Sequence, residues 1–407
     1  MIPPICVKYK VEHWIKISSA FYFVERMVRL VRNTMNFVDL CRGDFGRKVA
    51  YTGVDRITPQ NVVKVVSDTI GIHNRNRTLI DYLYRYMKGD QPILYRNKIV
   101  RPEVNNRVVE NHAFETVKFK AGQICGEPIQ YVCKKKNADE KINEQVDLLN
   151  DYLDEANADA RNIQRAIYQS ATGTSYKAIL KEEDWTENGD LPPFRIFIPY
   201  PGDCYIVYSQ RNGKPMLSVQ ILKDEDEQQY YLCYSKTQFF EIKNGKVTNY
   251  GINGFGGIPI VECPNNHDRL SDVEIAITLF DAINKYQSDR LNGVEQFVQA
   301  FMKFKNCEVD ENEFLKMVKL GAISVKDTGN GCQSDVELMT AELNQSESQV
   351  AKDDIYNNML IVEAMPNRQS NSGGDTGNAV YLRNGWDFAE RDAKLVEAFT
   401  KEAEKES

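Results

Sequence analysis

The chain has 407 residues, of which 42% are hydrophobic and 27% charged, and a formal net charge of −7. This composition excludes a disordered chain, and the length predicts two or three domains in place of one core. The acidity argues against a protein that coats nucleic acid through a generally basic surface, but not against one that guides DNA without gripping it.

In chain order, Val24, Val28, Val31, Met35 and Val38 recur at helical spacing within residues 11–40, with Arg26, Arg29 and Arg32 among the other positions. The pattern predicts an amphipathic helix with a solvated basic face, in preference to a nucleic-acid or membrane surface. From Asn76 a second helix presents Leu79, Tyr82, Leu83 and Tyr86 on one face and stops at Gly89 and Pro92. A third is expected from about Asn111 through Gln123 with Phe114, Val117 and Ala121 inward, turned by Gly126-Glu127-Pro128 into a strand, Ile129 to Val132. Lys134, Lys135 and Lys136 follow as an exposed turn. Residues 143–170 read as helix through Val146, Leu149, Leu153, Ile163 and Ile167.

The period then changes. Ser175 to Leu180, Phe194 to Ile198, Cys204 to Tyr208, Leu217 to Leu222, Tyr230 to Tyr234 and Gln238 to Ile242 are short strand patterns, separated by turns such as Arg211-Asn212-Gly213-Lys214 and Lys243-Asn244-Gly245-Lys246. They predict an antiparallel sheet with hairpins, so that residues 1–260 form a mixed α+β domain, helices first and meander second. Gly251, Gly254, Gly256 and Gly257 precede the strand Ile258 to Val261 and do not open a helix, which makes them a plain loop and not a phosphate cradle.

From Ser271 a long helix carries Val273, Ile277 and Phe280 on one stripe and Val294, Val298 and Phe301 on another. Its polar middle, Asn284 to Arg290, is expected to be exposed or to face a neighbouring subunit or a wet channel. A compact strand, helix and strand follow at Phe301 to Cys307, Asn312 to Leu320 and Ala322 to Val325. Another helix, from about Asn344 to Ala364, has Ala351, Ile355, Met359 and Val362 on its stripe and ends at Pro366.

Beyond it lies a polar, glycine-rich stretch of Asn367, Arg368, Gln369, Ser370, Asn371, Ser372, Gly373, Gly374, Asp375, Thr376 and Gly377, after which Thr376 or Asn378 can cap a new helix. A segment so free of apolar anchors acts on a surface or in a channel, or is simply mobile.

Conventional chemistry has little to build on. Cys6, Cys41, Cys125, Cys133, Cys204, Cys233, Cys263, Cys307 and Cys332 form no Cys-x-x-Cys pair, which fits reduced, mostly buried thiols. His13, His73, His112 and His267 are too far apart in sequence to share a helical metal site. No Walker lysine follows a glycine cluster, and neither His-Glu-x-x-His nor Gly-x-Ser-x-Gly occurs. No metal or cofactor is expected. Without a run of about 18 apolar residues, and without the charged head and apolar stretch of a secretory signal over Met1 to Lys10, the protein is expected to work inside a cell with no membrane partner.

Several blocks together carry a resemblance. Asn105 through Tyr131, Gly173-Thr174-Ser175-Tyr176, Gly257 through Asn266, Ser271 through Ala282 and Ser372 through Ala379 resemble, in this order, the portal proteins of tailed double-stranded DNA bacteriophages, in particular those of long-tailed phages and prophages of Gram-positive bacteria. The likeness spans residues 62–400, and its specificity lies in the succession of blocks.

The resemblance implies a ring, usually of twelve subunits, at one capsid vertex of the virion, assembled in the host cytoplasm. It implies an α+β portal fold: an N-terminal helical extension (1–61), a wing (62–262), a stem helix (263–300), a clip (301–333), a second stem helix (334–366), a tunnel loop (367–377) and a C-terminal helix (378–407) leading toward a short or missing crown. Implied partners are further copies of the chain, double-stranded DNA in the channel, the terminase large subunit, a head-tail connector or adaptor, and the major capsid and scaffolding proteins. Such rings are not enzymes, and an acidic conduit lets DNA slide where a basic one would hold it. Asn367 to Asn371 are then the channel contacts, with Gly373, Gly374 and Gly377 supplying flexibility. Arg368 either touches phosphate or pairs with an acid such as Asp375. Two other classes stay open: a magnesium-dependent nucleic-acid hydrolase using Asp353 and Asp354, which point in different directions on a helix, and another head-tail connector protein.

Overall fold

The computed structural model describes residues 36–99, 101–133, 140–186, 192–298, 301–305, 310, 312, 335–339, 345–368 and 385–406. The helices are α1 (Phe37–Cys41), α2 (Val62–Met87), α3 (His112–Cys125), α4 (Glu140–Glu155), α5 (Ala158–Thr172), α6 (Asp272–Val298), α7 (Gln345–Val362) and α8 (Trp386–Glu406). The strands are β1 (Ala50–Thr52), β2 (Thr174–Lys181), β3 (Phe194–Phe197), β4 (Cys204–Ser209), β5 (Pro215–Lys223), β6 (Gln229–Tyr234), β7 (Gln238–Lys243), β8 (Lys246–Ile252), β9 (Ile260–Pro264), β10 (Phe301–Lys305) and β11 (Asp335–Met339). The fold is α+β, as expected. It divides into two units, one drawn from residues 1–92, 110–281 and 357–407 and the other from 93–109 and 282–356.

The first unit is built on two sheets. In the larger, β4 to β8 form an antiparallel meander in chain order, with β1 added parallel to β4 at the other edge. The tight β7–β8 turn puts both Asn244 and Gly245 at positive φ, the conformation that an Asn-Gly pair tolerates in a hairpin. Alternate residues Tyr205 and Val207, Leu217 and Val219, Cys233, and Phe240 and Ile242 face one side, where Val62, Val65 and Val66 of α2 cover them. The opposite face of β4, with Cys204 and Ile206, packs on Tyr176, Ala178 and Ile260 of the smaller β3-β2-β9 sheet. β4 is thus covered on both sides, which is why its sequence is a continuous apolar run and does not alternate.

Glu262 of β9 joins the sheets. It accepts from Thr174 Oγ1 at 2.8 Å, Tyr208 Oη at 2.6 Å and Arg269 Nε at 2.7 Å. Burial raises its pKa, but the Arg269 charge outweighs this and holds the carboxyl below its ordinary value. Gly173 makes the junction possible: its φ is +84°, and a Cβ there would lie 2.0 Å from the Arg269 carbonyl oxygen.

The structure corrects several sequence expectations in this unit. α2 begins at Val62, well before Asn76. Phe114 is 51% exposed, whereas Val117 and Ala121 are buried as expected. Residues 129–133 form no strand; Tyr131 is instead held by Asn150, which accepts from its N–H at 3.1 Å and donates to its carbonyl at 3.0 Å. The single helix over 143–170 is two, broken where Asn157 adopts φ +53°. The sheet is not one antiparallel meander but two sheets with a parallel β1–β4 pair. The described cysteines are free thiols, mostly buried. The helix expected over 11–35 and the Lys134 to Lys136 turn lie outside the described residues.

In the second unit the polar middle of α6 has an unexpected partner. Asn284, Ser288 and Asn292 recur every four residues and are 2%, 0% and 3% exposed. Asn292 Oδ1 accepts from the Asn106 N–H at 2.7 Å, Ser288 Oγ accepts from the Val108 N–H at 2.9 Å, and Asp289 accepts from Arg96 at 2.7 Å. Ser288 and Asn292 of the polar band therefore satisfy backbone N–H groups of the chain's own 96–108 segment, while Lys285, Tyr286 and Asp289 are exposed. β10 pairs antiparallel with β11. The helix expected at 312–320 and the strand at 322–325 lie outside the described residues apart from Asn312.

Candidate functional site

Segment 369–384, which holds Gln369, Ser370, Asn371, Ser372, Gly373, Gly374, Asp375 and Gly377, is outside the described residues; Asn367 and Arg368 are within them. What the structure defines is how the chain is fastened on either side of that segment. α7 stops in a Schellman motif: Met365 N–H donates to the Leu360 carbonyl at 2.8 Å, Ala364 N–H donates to the Ile361 carbonyl at 3.2 Å, and Ala364 takes the left-handed position at φ +48°. Pro366 follows a helix that has already ended.

Both ends are secured to one face of α3. On the near side, Arg368 pairs with Glu115 and Thr116 Oγ1 reaches Met365 Sδ at 3.4 Å. On the far side, the Phe119 and Trp386 rings lie 6.3 Å apart, and Lys120 pairs with Asp392 of α8. Positions 115, 116, 119 and 120 form one helical stripe, so a single rigid element holds both ends. α8 is fixed further along by Glu404, whose carboxylate accepts from Lys177 Nζ at 2.6 Å and Tyr131 Oη at 2.7 Å, and by Ala403 against Val261 and Cys263.

The electrostatics differ at the two ends. At Glu115, His112 donates from Nδ1 at 2.9 Å and from Nε2 to Glu110 at 3.2 Å. Burial lowers the His112 pKa, but these two carboxylates outweigh it and hold it at about 9. His112, assisted by Arg368, in turn lowers the Glu115 pKa. At Lys120, burial pushes the Glu363 carboxyl well above its ordinary range, with Asp272 adding to the effect and Lys120 opposing it. Asp272 is also raised by burial, against Lys120 and hydrogen bonds from Ser170 and Asn265. Lys120 pairs with Asp392 and also opposes the upward shifts of Asp272 and Glu363.

Arg368 pairs with an acid, Glu115. Asn367 Nδ2 donates to Asn357 Oδ1 at 3.1 Å. The sequence marked α3 as a helix but not as the element that fastens both ends of this segment. The signal available was a lysine and a threonine, Lys120 and Thr116, beside inward Val117 and Ala121; both are buried in the structure. Asp353 and Asp354 are exposed on α7, and Gln349 donates to Asp353 at 2.7 Å.

None of the curated proteins matches this chain. Among solved structures, a chain from the neck of a native GTA particle, computed with C12 symmetry, is 12% identical over 70% of this chain and 76% of its own, with a TM-score of 0.40. The family described as phage portal protein, SPP1 Gp6-like, matches residues 67–383. That range begins within α2, takes in α3 and strands β2 to β11, and ends just before α8. The chain belongs to the phage portal protein family.

Proposed function

We propose that copies of this chain close into a ring of twelve at a capsid vertex and form the conduit through which double-stranded DNA is packaged and ejected. Residues 62–262 serve as the wing, 263–300 and 334–366 as stem, 301–333 as clip and 367–377 as the loop that meets DNA; 1–61 extend the chain before the wing and 378–407 follow the loop. The observation that carries this reading is the fastening of both ends of segment 369–384 to α3, in a chain whose family match spans residues 67–383. A polar glycine-rich segment with two fixed ends can project and flex without disturbing the body that bears it. The ring works as a structural part of the virion with no chemistry of its own. It docks the terminase large subunit during packaging and a connector or adaptor afterwards, and is built in among capsid and scaffolding proteins.

The test is to delete residues 369–375, which spares Arg368 and both fastenings. Rings are expected to form as in the wild type while DNA packaging falls. Loss of ring assembly would instead make the segment structural and overturn its assignment.

A further inference from the structure

We infer that Glu115 is an internal stand-in for a DNA phosphate, holding the Arg368 guanidinium until a phosphate oxygen of a passing duplex takes its place. The inference rests on the conduit reading above and adds to it the residues that set how DNA is touched and let go.

The geometry divides the Glu115 carboxylate between two cations. Oε1 faces Arg368, and Oε2 accepts from His112 Nδ1 at 2.9 Å. When Arg368 leaves, His112 therefore still compensates Glu115, whose negative charge is not stranded. The pair is also open to exchange, because the side chains of Arg368 and Glu115 are 57% and 30% exposed. Exposed ion pairs of this kind are weak, so a competing anion can displace the acid. Carboxylate and phosphate offer a guanidinium the same pattern of acceptor oxygens, so the exchange needs no new donor geometry.

The surroundings make the exchange reversible. Glu115 remains beside the vacated position and competes with the phosphate for the returning Arg368. The chain ahead of Arg368 stays in place through the Thr116 contact with Met365 and the Asn367 bond to Asn357. Arg368 thus swings on a fixed root, and each contact with DNA is brief.

The experiment measures binding of a short fluorescent DNA duplex to assembled full-length rings by anisotropy across a salt series, using wild type, Glu115→Gln, Arg368→Gln and the double variant. Removing the competing acid is expected to tighten binding about twofold to fivefold, the range an exposed pair represents. The salt dependence should steepen by about 0.9 in log–log slope for one added phosphate contact. Both effects should vanish in the double variant. The exchange is overturned if Glu115→Gln tightens binding equally with Arg368→Gln present, which is a general loss of negative charge, or if its slope equals that of the wild type. If no variant binds duplex and the same preparation shows no ring with a central hole, the conduit reading fails as well.

Discussion

Lys120→Met tests the fastening on α3 most sharply. The Lys120 side chain is 9% exposed and that of its partner Asp392 36%. Glu363 and Asp272, 3% and 8% exposed, have Lys120 as the cation that offsets them. Removing one member of a fully buried ion pair costs about 3–5 kcal/mol, because a charge is left without compensation. Here Asp392 can turn toward water, which reduces the loss to about 2 kcal/mol. The loss should fall on α8, whose attachment depends on this pair, and should appear as a roughly thirtyfold increase in amide hydrogen exchange over residues 386–406 in assembled protein. Exchange in β4 to β7 should change little. A second variant, Lys120→Met with Asp392→Leu, replaces the pair by apolar groups and should recover part of the protection, the remainder being lost because Asp272 and Glu363 still lack their cation. Exchange in α8 within a factor of about two of wild type, or loosening spread evenly over the unit, would refute the reasoning.

Three further outcomes are expected. Burial raises the pKa of Glu404, but Lys177 and Tyr131 outweigh it and hold it below the ordinary glutamate value of 4.5. Its stabilisation is thus present above pH 4.5 and lost as pH falls through the lowered value, so α8 should become protease-sensitive in acid. Glu404→Gln should be sensitive already at pH 7, and identical curves for the two proteins would count against the assignment. His112 is raised from 6.5 to about 9, so its contribution is complete below pH 6.5 and disappears as pH rises through about 9. A proton NMR titration of its ring should show a midpoint near that upper value, whereas a midpoint at the ordinary histidine value would show that the Glu110 and Glu115 contacts are absent. Ala364→Gly relieves a left-handed alanine at φ +48° and should stabilise the end of α7 by about 0.5–1 kcal/mol in thermal or urea unfolding, where a loss would argue against the Schellman geometry.

The strands were legible where a face is buried and silent where it is not. β4 to β7 carry apolar residues that cover α2, and their limits lie within about two residues of those expected from pattern. β8 exposes Tyr250 and Ile252 at 58% and 86%, so no alternation marks it, and β1 has too few residues to show a period. α2 was read short because Val62, Val63, Val65 and Val66 are β-branched, and their helix is secured by packing on the sheet more than by propensity. The polar stripe of α6 was visible, but its partner was not: Asn106 and Val108 lie far away in sequence and bond through main-chain groups, which no side-chain pattern announces. The candidate site was half legible for the same reason. Composition singled out Asn367 and Arg368, whereas Glu115 is separated from Arg368 by 253 positions, and only the fold brings them together.

The central claim is a closed ring whose channel is met by the chain around Arg368. Electron microscopy of the purified, assembled chain tests it directly. The account predicts a ring with a central hole, with Pro366 to Arg368 and the Glu115 end of α3 at its inner wall. A monomer or open chain of subunits, or a ring that carries Arg368 on its outer surface, would contradict it.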